Sequence, residues 1–504
     1  MLLMASLFTG CGTSSGSDAL IQPQFASPNL AKGAKVISES LKKGERADAQ
    51  NLLTEGSKAW TPRDLDRKPA EGQPDACNSA VEIQLQETCT FNTAVIEEVG
   101  NEVQYFRLQA WVDDEWKTIY QSEKIQSLRL CSFDPVTTDR VRLSIDQFRS
   151  GKKPARLKAL RLYNEPLRAA DDFHVTAYQR LDGDVPSEIL KRPAEDIKAY
   201  ARYYDVYNTV LIFGAVNWEE GEMVFNFDDG EAGFARELSA LREIIAQRGN
   251  PAHEVKIICT ALADGAGGDG HTGVNVFMAE HWERVAGQMV DFLKKYDLDG
   301  LDIDWEYPES KEDWKCYDKF IARLDEGMEQ VKPGAILSAA LSAWGLGMSP
   351  ETLKRFDQIQ FMAYDGQDED GYQSSLEQAQ SGLVEFVKNG ADLKQINIGI
   401  AAYGRPLNSA PYWADWRSLQ GADLYWNSKQ YHVACEGQVF DAAFCAPALA
   451  GDKTAYALFS GVGGVMVFRL ACDKTMDDPN AVACGIENTL KRYVSGYQGQ
   501  ADAT

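Results

Sequence analysis

Hydrophobic and polar positions follow two different patterns along this 504-residue chain. In residues 21–167, apolar side chains fall at every second position of short runs such as QYFRLQAW (104–111) and RVRLSID (140–146). This period of two is that of a β-strand with one buried face. Turn-forming residues separate the runs, as in VDDEW (112–116). The first pattern therefore predicts an all-β sandwich.

The second pattern covers residues 171–497, where short apolar runs alternate with stretches of helical periodicity. Trp282, Val285 and Met289, for example, fall on one face of a predicted helix. Eight strands that alternate with helices predict an α/β fold of the (β/α)8 TIM barrel type, although a doubly wound open sheet has the same periodicity. The strand candidates are residues 173–178, 209–216, 255–262, 300–305, 335–341, 358–364, 396–403 and 464–470.

The fourth strand candidate carries an unusual file of acids. Asp302, Asp304 and Glu306 alternate with apolar residues and therefore share one face of the strand. Buried charges cost several kcal/mol unless they are paired or protonated, and like charges raise one another's pKa values. An exposed acidic loop or a cation site would not show this period of two. Glu306 lies at the carboxyl end of the strand, where barrel enzymes react their substrates, and is the candidate general acid.

Composition narrows the class of partner. The chain has 51 Lys and Arg against 75 Asp and Glu, which gives a formal net charge of −24. This balance argues against a nucleic-acid partner, because phosphate binding needs clustered basic residues. It is compatible with a neutral glycan, and equally with solubility alone. The five histidines are scattered and no cysteine spacing is of the zinc type, so no metal or other cofactor is predicted.

Residues 1–20 resemble a bacterial lipoprotein signal, with an apolar run that ends at Cys11 and a Gly/Ser spacer behind it. The resemblance implies that Cys11 is lipidated and that the protein is exported to the cell surface or periplasm. Membrane contact is then expected only through this anchor. An ordinary secretory signal and a disordered terminus are the alternatives. Candidate disulfides over short loops are Cys77/Cys89, Cys435/Cys445 and Cys472/Cys484.

Four motifs in the second half resemble glycoside hydrolase family 18, which contains chitinases and endo-β-N-acetylglucosaminidases. DGLDIDWE (299–306) is an instance of the family's DxxDxDxE pattern on the fourth strand. FMAYD (361–365), AAYGR (401–405) and GGVMVFRLACD (463–473) resemble its sixth, seventh and eighth strands in the same order. The Tyr–Pro pair after Glu306 is similar to the chitinase branch.

The resemblance implies hydrolysis of β-1,4 bonds in N-acetylglucosamine (GlcNAc)-containing glycans, with retention and with the substrate's acetamide oxygen as nucleophile. It implies that Glu306 protonates the glycosidic oxygen and that Asp304, sharing a proton with Asp302, orients the acetamide. Tyr364 is expected to hydrogen-bond near the acetamide carbonyl. The other implied contacts of the −1 sugar site are Tyr178, Met362, Asp365 and Phe468.

Two departures from the family pattern bear on substrate choice. The third strand ends in CTALADGAGG (259–268) instead of a Ser-x-Gly-Gly motif, and the eighth offers Phe468 where the family has Trp. An endo-β-N-acetylglucosaminidase acting on N-glycan cores needs the same acids and is one alternative. A non-catalytic carbohydrate-binding adhesin is the other, and Glu306 argues against it. Trp218 and Trp344 follow strands two and five and are expected to flank the sugar groove.

The first half resembles a discoidin, or factor 5/8 type C, domain from its opening SPNLAKGAKV (27–36) to its closing LKALRLYN (157–164). The resemblance implies a carbohydrate-binding module. Trp60, Trp111 and Trp116 are expected in its core, because large aromatic side chains usually fill the interior of a sandwich.

Overall fold

The computed structural model describes most of residues 20–497. Cys11 and the predicted signal lie outside the described residues, so lipidation and export stay predictions. The residues left out inside this span are 55, 57, 66–76, 150–152, 170–171, 182–184, 252, 264–269, 367–372, 407–412, 420–429 and 436. Only the backbone is described for residues 270–272, 430–434 and 440.

Six antiparallel strands of the first half form one hydrogen-bonded sheet, in the order β1-β2-β5-β3-β4 with β6 beside β2. The two central strands, β2 and β5, are 20 residues long and pair from Ser79↔Ile145 to Ile96↔Arg129. The described strands agree with the predicted β pattern, whereas the sandwich and the likeness to a discoidin domain stay predictions. The strands are β1 (Lys35–Glu39), β2 (Ser79–Glu98), β3 (Val103–Val112), β4 (Glu115–Glu123), β5 (Arg129–Phe148) and β6 (Leu157–Tyr163).

The tryptophans of this sheet do not share one environment. Trp60 is fully buried in the core and donates from Nε1 to Glu39. Trp111 and Trp116 are only partly buried and lie outside the core, so the expectation for these two was wrong. They pair across the β3–β4 hairpin with ring centroids 5.3 Å apart. The Arg140 guanidinium lies 4.7 Å from the Trp111 ring centre and supplies the packing that a core would otherwise give.

The second half is a closed barrel of eight parallel strands in the order β11-β12-β13-β14-β15-β20-β7-β8. All eight predicted strands are present, and closure excludes the open sheet. The elements are, in chain order, β7 (His174–Arg180), α1 (Pro186–Ile189), α2 (Ala194–Ala201), α3 (Tyr203–Val206), β8 (Thr209–Phe213), β9 (Val216–Glu219), β10 (Glu222–Phe225), α4 (Glu231–Ile245), β11 (Lys256–Ala263), α5 (Gly270–Tyr296), β12 (Gly300–Asp304), α6 (Lys311–Val331), β13 (Ile336–Leu341), α7 (Pro350–Leu353), β14 (Gln358–Phe361), α8 (Leu376–Lys388), β15 (Ile396–Ala401), β16 (Tyr403–Pro406), β17 (Ala414–Asp415), β18 (Gln430–Cys435), β19 (Gln438–Phe444), α9 (Pro447–Ser460), β20 (Gly464–Phe468) and α10 (Val482–Tyr493).

Two apolar layers flank the barrel strands. The large outer cluster joins the strands to the surrounding helices, whereas a small inner cluster fills the barrel. After the seventh barrel strand, β16–β19 form a small antiparallel sheet in the order β17-β16-β19-β18. The fully buried residues of the inner cluster are Tyr178, Leu211, Ile258, Ala340 and Met466.

The three proposed disulfides are absent from the structure. Cys77, Cys89, Cys445, Cys472 and Cys484 are all unbridged, which excludes each of the suggested pairs. The thiols of the last pair have separate environments: Cys472 accepts a hydrogen bond from an arginine, and Cys484 donates to backbone carbonyls. Short spacing along the chain therefore did not bring these sulfur atoms together in bonding geometry.

Helix α9 lies between the barrel and the N-terminal sheet, and nearly all its residues are buried. Asp452 accepts hydrogen bonds from Arg129 Nη1 at 3.0 Å and from the Tyr120 hydroxyl at 2.8 Å. The Arg129 and Asp452 side chains are only 1% and 8% exposed. Breaking a buried pair from one side leaves an uncompensated charge, so this contact strongly couples the two halves.

Replacement of Arg129 by Met should cost about 3–5 kcal/mol, because Asp452 then stays buried without its cation. The double variant Arg129→Met/Asp452→Leu should recover much of this loss, since no buried charge remains. Thermal unfolding followed by calorimetry measures both. Lys388→Met, which removes an exposed ion pair with Glu385, is the matched control and should change stability by less than about 1 kcal/mol. Equal losses in the single and double variants would contradict the coupling.

Candidate active site

The acid file lies on the inner face of β12, at its carboxyl end. Asp302 is fully buried, and Asp304 and Glu306 are half-buried further along the chain. Trp305 points the other way, donates from Nε1 to Asn275 of α5 and packs 5.5 Å from the Tyr317 ring of α6. The predicted alternation, with acids inside the barrel and apolar residues toward the helices, is confirmed.

Two hydroxyl groups hold the deepest acid. Thr260 Oγ1 donates to Asp302 Oδ2 at 2.8 Å, and the Tyr178 hydroxyl donates to the same oxygen at 3.0 Å. Burial raises the pKa of Asp302, and the nearby hydroxyl groups of Ser338, Thr260 and Tyr178 oppose this effect. The raised pKa of a carboxyl group next to a second acid favours retention of a proton within the file.

An aromatic cluster lies beside the acids at the carboxyl ends of the barrel strands. Phe468 is its centre, with the Phe213, Tyr178 and Tyr364 rings at 5.3, 5.5 and 6.1 Å between centroids. Burial raises the pKa of Tyr364, as do the charges of Asp365, Asp304 and Glu306. Tyr364 is therefore a neutral hydroxyl in the electrostatic field of the acid file.

Asp365 is fixed by two side chains of β16. Arg405 makes two hydrogen bonds to its carboxylate, at 2.8 and 2.7 Å, and the Tyr403 hydroxyl donates at 2.6 Å. The Trp413 ring stacks on Tyr403 at 3.6 Å, and the Arg405 guanidinium lies 5.1 Å from the Trp413 centroid. A bidentate guanidinium sets both the position and the orientation of a carboxylate. This end of the site is thus rigidly held.

Trp344 and Trp218 were both expected to flank the sugar groove, and the structure places only Trp344 at its rim. Trp344 is 58% exposed and its ring lies 4.9 Å from that of Tyr307, the neighbour of Glu306. It fits a position at the edge of a groove. Trp218 is buried and donates from Nε1 to the Ala261 carbonyl at 2.7 Å, so its predicted place beside the groove was wrong. The hairpin β9–β10 carries it back onto the barrel wall.

The structure brings together the predicted residues of the acid file and of the −1 sugar site: the three acids, Tyr178, Tyr364, Phe468, Met362 and Asp365. Sequence analysis missed Thr260, Arg405, Tyr403 and Phe213 as members of the site. Thr260 carried a usable signal, since it is a polar residue inside an apolar strand run, and it pairs directly with Asp302 in the ladder. The third strand, although it departs from the family motif, therefore still supports the acid file through the Thr260 hydroxyl group.

Among the residues that the structure describes, no group of three or more His, Cys, Asp or Glu side chains is arranged to hold a metal ion. Within the same part of the chain, no helix combines the length and apolar character that crossing a membrane requires.

Comparisons with known proteins agree with this geometry. Residues 261–473 match the model of the glycosyl hydrolases family 18. This match supports the predicted family-18 catalytic domain and a glycoside hydrolase. A segment of 88 residues is 36% identical to an endochitinase of Manduca sexta, and it spans 15% of this chain and 16% of that protein.

Solved structures with a similar fold include two chitinases at low identity. A chitinase from Bacteroides thetaiotaomicron is 15% identical with a TM-score of 0.49, covering 66% of this chain and 99% of its own. The family-18 chitinase from the chitin utilization locus of Flavobacterium johnsoniae is 18% identical with a TM-score of 0.47, with the same coverage of 66% and 99%.

Tyr178→Phe should destabilise the protein more at high pH than at low pH. The lost hydroxyl favours ionised Asp302, whose pKa is raised in the folded state, so its removal costs most above that pKa. We expect the loss to grow from about 1 kcal/mol at the acid end of the pH range, where Asp302 is protonated, to about 1.5–3 kcal/mol at the alkaline end, where it is charged. Thermal unfolding across this range measures it.

The matched control is Tyr456→Phe, whose hydroxyl donates to the Ile21 carbonyl and not to a titrating group. Its stability loss should not vary with pH. A pH-independent loss in Tyr178→Phe as well would contradict the proposed electrostatic role.

Proposed function

We propose that this chain is a hydrolase of β-1,4-linked N-acetylglucosamine glycans, acting by substrate-assisted catalysis with retention. The observation that carries the proposal is the acid file, which runs from fully buried Asp302 to half-buried Glu306 and ends against an aromatic cluster. Such a site offers a sugar ring an apolar wall on one side and carboxyl groups on the other. The family match of residues 261–473 supports the same chemistry.

In the first step, Glu306 gives its proton to the glycosidic oxygen as the bond from that oxygen to C1 breaks. The acetamide oxygen of the same sugar supplies the electron pair that forms the new bond to C1, and an oxazolinium ion results. In the second step, water attacks C1, the Glu306 carboxylate accepts the proton of this water, and the ring of the ion opens. Retention follows because C1 is inverted twice.

The deeper acids and the tyrosines stabilise the positive oxazolinium. Asp304 faces the acetamide nitrogen, and Asp302, whose pKa is raised by burial, exchanges a proton with it as charge develops. Tyr364 is held neutral and donates to the acetamide oxygen side of the sugar. Phe468 forms the apolar floor, and its cluster excludes water from the reacting centre.

The decisive experiment compares the chain from residue 20 onward with its Glu306→Gln variant on N-acetyl-chitohexaose, with mass spectrometry of the products. The variant should lose about 10²–10⁴-fold in rate and keep sugar binding, since Gln preserves shape and removes the transferable proton. Glu309→Gln is the matched control, because this exposed residue lies three positions away and outside the cluster. Undiminished hydrolysis by Glu306→Gln would contradict its role.

The same two proteins are incubated with a high-mannose glycoprotein to separate the substrates. Short chito-oligomers from the hexaose support the proposal. Release of whole glycans that leaves one N-acetylglucosamine on the protein would replace it with an endo-β-N-acetylglucosaminidase. Binding of either sugar without any product would replace it with an adhesin.

Trp344→Ala should weaken binding of long oligomers more than that of short ones. The exposed ring beside Tyr307 offers a flat stacking surface at the rim, and only a chain that extends past Glu306 reaches it. We expect KM for the hexaose to rise about fivefold to tenfold, equivalent to about 1–1.4 kcal/mol, with KM for the trimer unchanged. Trp344→Phe should fall between. Equal effects on both lengths would show that Trp344 does not contact the sugar.

A further inference from the structure

Lys453 is a buried lysine that the proposed reaction does not use. It lies on α9, is fully buried, and has its ammonium group within the protein rather than at the surface. Nζ donates three hydrogen bonds: to the Gly399 carbonyl at 2.8 Å, to Ser374 Oγ at 2.9 Å and to the Ala363 carbonyl at 3.1 Å. An ammonium group has three donors, so every one of them is used.

The three acceptors belong to the wall of the candidate site. Ala363 lies between Met362 and Tyr364, directly after the sixth barrel strand β14, and Gly399 lies within the seventh strand β15. The Ser374 hydroxyl donates in turn to the Ala363 carbonyl at 3.1 Å. The ammonium group therefore joins two adjacent strands at the point where one of them delivers its site residues.

Contact between these strands is unusually close. A Cβ at Gly399 would lie 2.4 Å from the Phe361 carbonyl oxygen and 2.8 Å from Cε1 of Tyr364. The Tyr364 ring thus rests directly on the β15 backbone, and a shift of either strand moves it. Since buried carbonyl groups need donors, loss of the ammonium group would remove one hydrogen bond from the Gly399 carbonyl and leave the Ala363 carbonyl with the Ser374 hydroxyl.

Burying the ammonium group of Lys453 is energetically unfavourable, so its hydrogen bonds must offset this cost. Burial lowers the pKa of the ammonium group to about 8, because the charged form is less stable inside the protein than in water. Asp452, the adjacent acid on α9, is engaged by Arg129 and Tyr120 of the N-terminal sheet instead. The lysine is directed at backbone carbonyls of the site wall.

We propose that Lys453 is a positioning residue for catalysis, which fixes the ends of the sixth and seventh barrel strands so that Tyr364 and Asp365 meet the sugar. The expected effect on catalysis rests on the proposed function. The expected effect on the position of the two strands rests on the hydrogen bonds of Lys453 alone. Lys453 acts through the backbone and does not touch the substrate.

The test uses Lys453→Met, which keeps the length and apolar stem of the side chain but has no donor. Hydrolysis of N-acetyl-chitohexaose should lose about tenfold to a hundredfold in kcat, with KM changed less than threefold, because a misplaced Tyr364 weakens the transition state more than the bound ground state. Lys453→Gln retains an amide donor and should recover part of kcat. Thr454→Val is the matched control on the same helix, since its hydroxyl donates only to Ala450 within α9.

Hydrogen–deuterium exchange gives a readout that needs no activity. Amides of residues 358–366 should exchange about tenfold faster in Lys453→Met than in the unmodified protein or in Thr454→Val. Ser374→Ala, a milder change, should show the same direction and keeps the test valid if Lys453→Met does not fold. Unchanged kcat and unchanged exchange, or a fall in melting temperature alone, would overturn the inference. An inactive unmodified protein with faster exchange in the variant would instead contradict the proposed function.

Discussion

The whole site depends on burying one carboxyl group, that of Asp302, inside a closed barrel. The barrel makes this possible because neighbouring strands aim hydroxyl groups inward, Thr260 from the third strand and Tyr178 from the first, onto a single carboxylate oxygen. Burial raises the pKa of Asp302, and the hydroxyl groups oppose the rise. The proposed proton exchange with Asp304 rests on this buried, hydrogen-bonded carboxyl group.

Helix α9 extends this constraint beyond the barrel. It presents two successive buried charges in different directions: Asp452 toward Arg129 of the N-terminal sheet, and Lys453 toward the carbonyls behind Tyr364. Adjacent helix positions point about 100° apart, so one helix can serve both surfaces. One turn of α9 thereby connects the N-terminal sheet to the backbone behind Tyr364. The N-terminal sheet is in this way part of the support of the barrel.

Periodicity was sufficient for the number and order of the barrel strands, but not for closure, because an open sheet has the same periodicity. Eight apolar runs became eight barrel strands, because a run buried on both faces leaves few other solutions. The acid file could also be predicted from the sequence, since carboxylates at every second position of an apolar strand do not contribute to packing. Aromatic contacts across strands could be anticipated only from family resemblance, which pointed to Phe468 and Tyr364 but not to Phe213.

The errors share a physical cause, which is that a side chain's surroundings depend on partners distant in sequence. Trp218 looked like a groove residue until a hairpin folded it against the Ala261 carbonyl. Trp111 left the core because a guanidinium from β5 covers it. Arg405 was visible in its motif, yet its role depends on the Asp365 carboxylate, which follows β14, whereas Arg405 lies on β16 of the small antiparallel sheet. The type of a residue indicates what chemistry its side chain can perform, whereas the fold determines which partner it contacts. Predictions from sequence are therefore least secure for sites whose residues come from different strands.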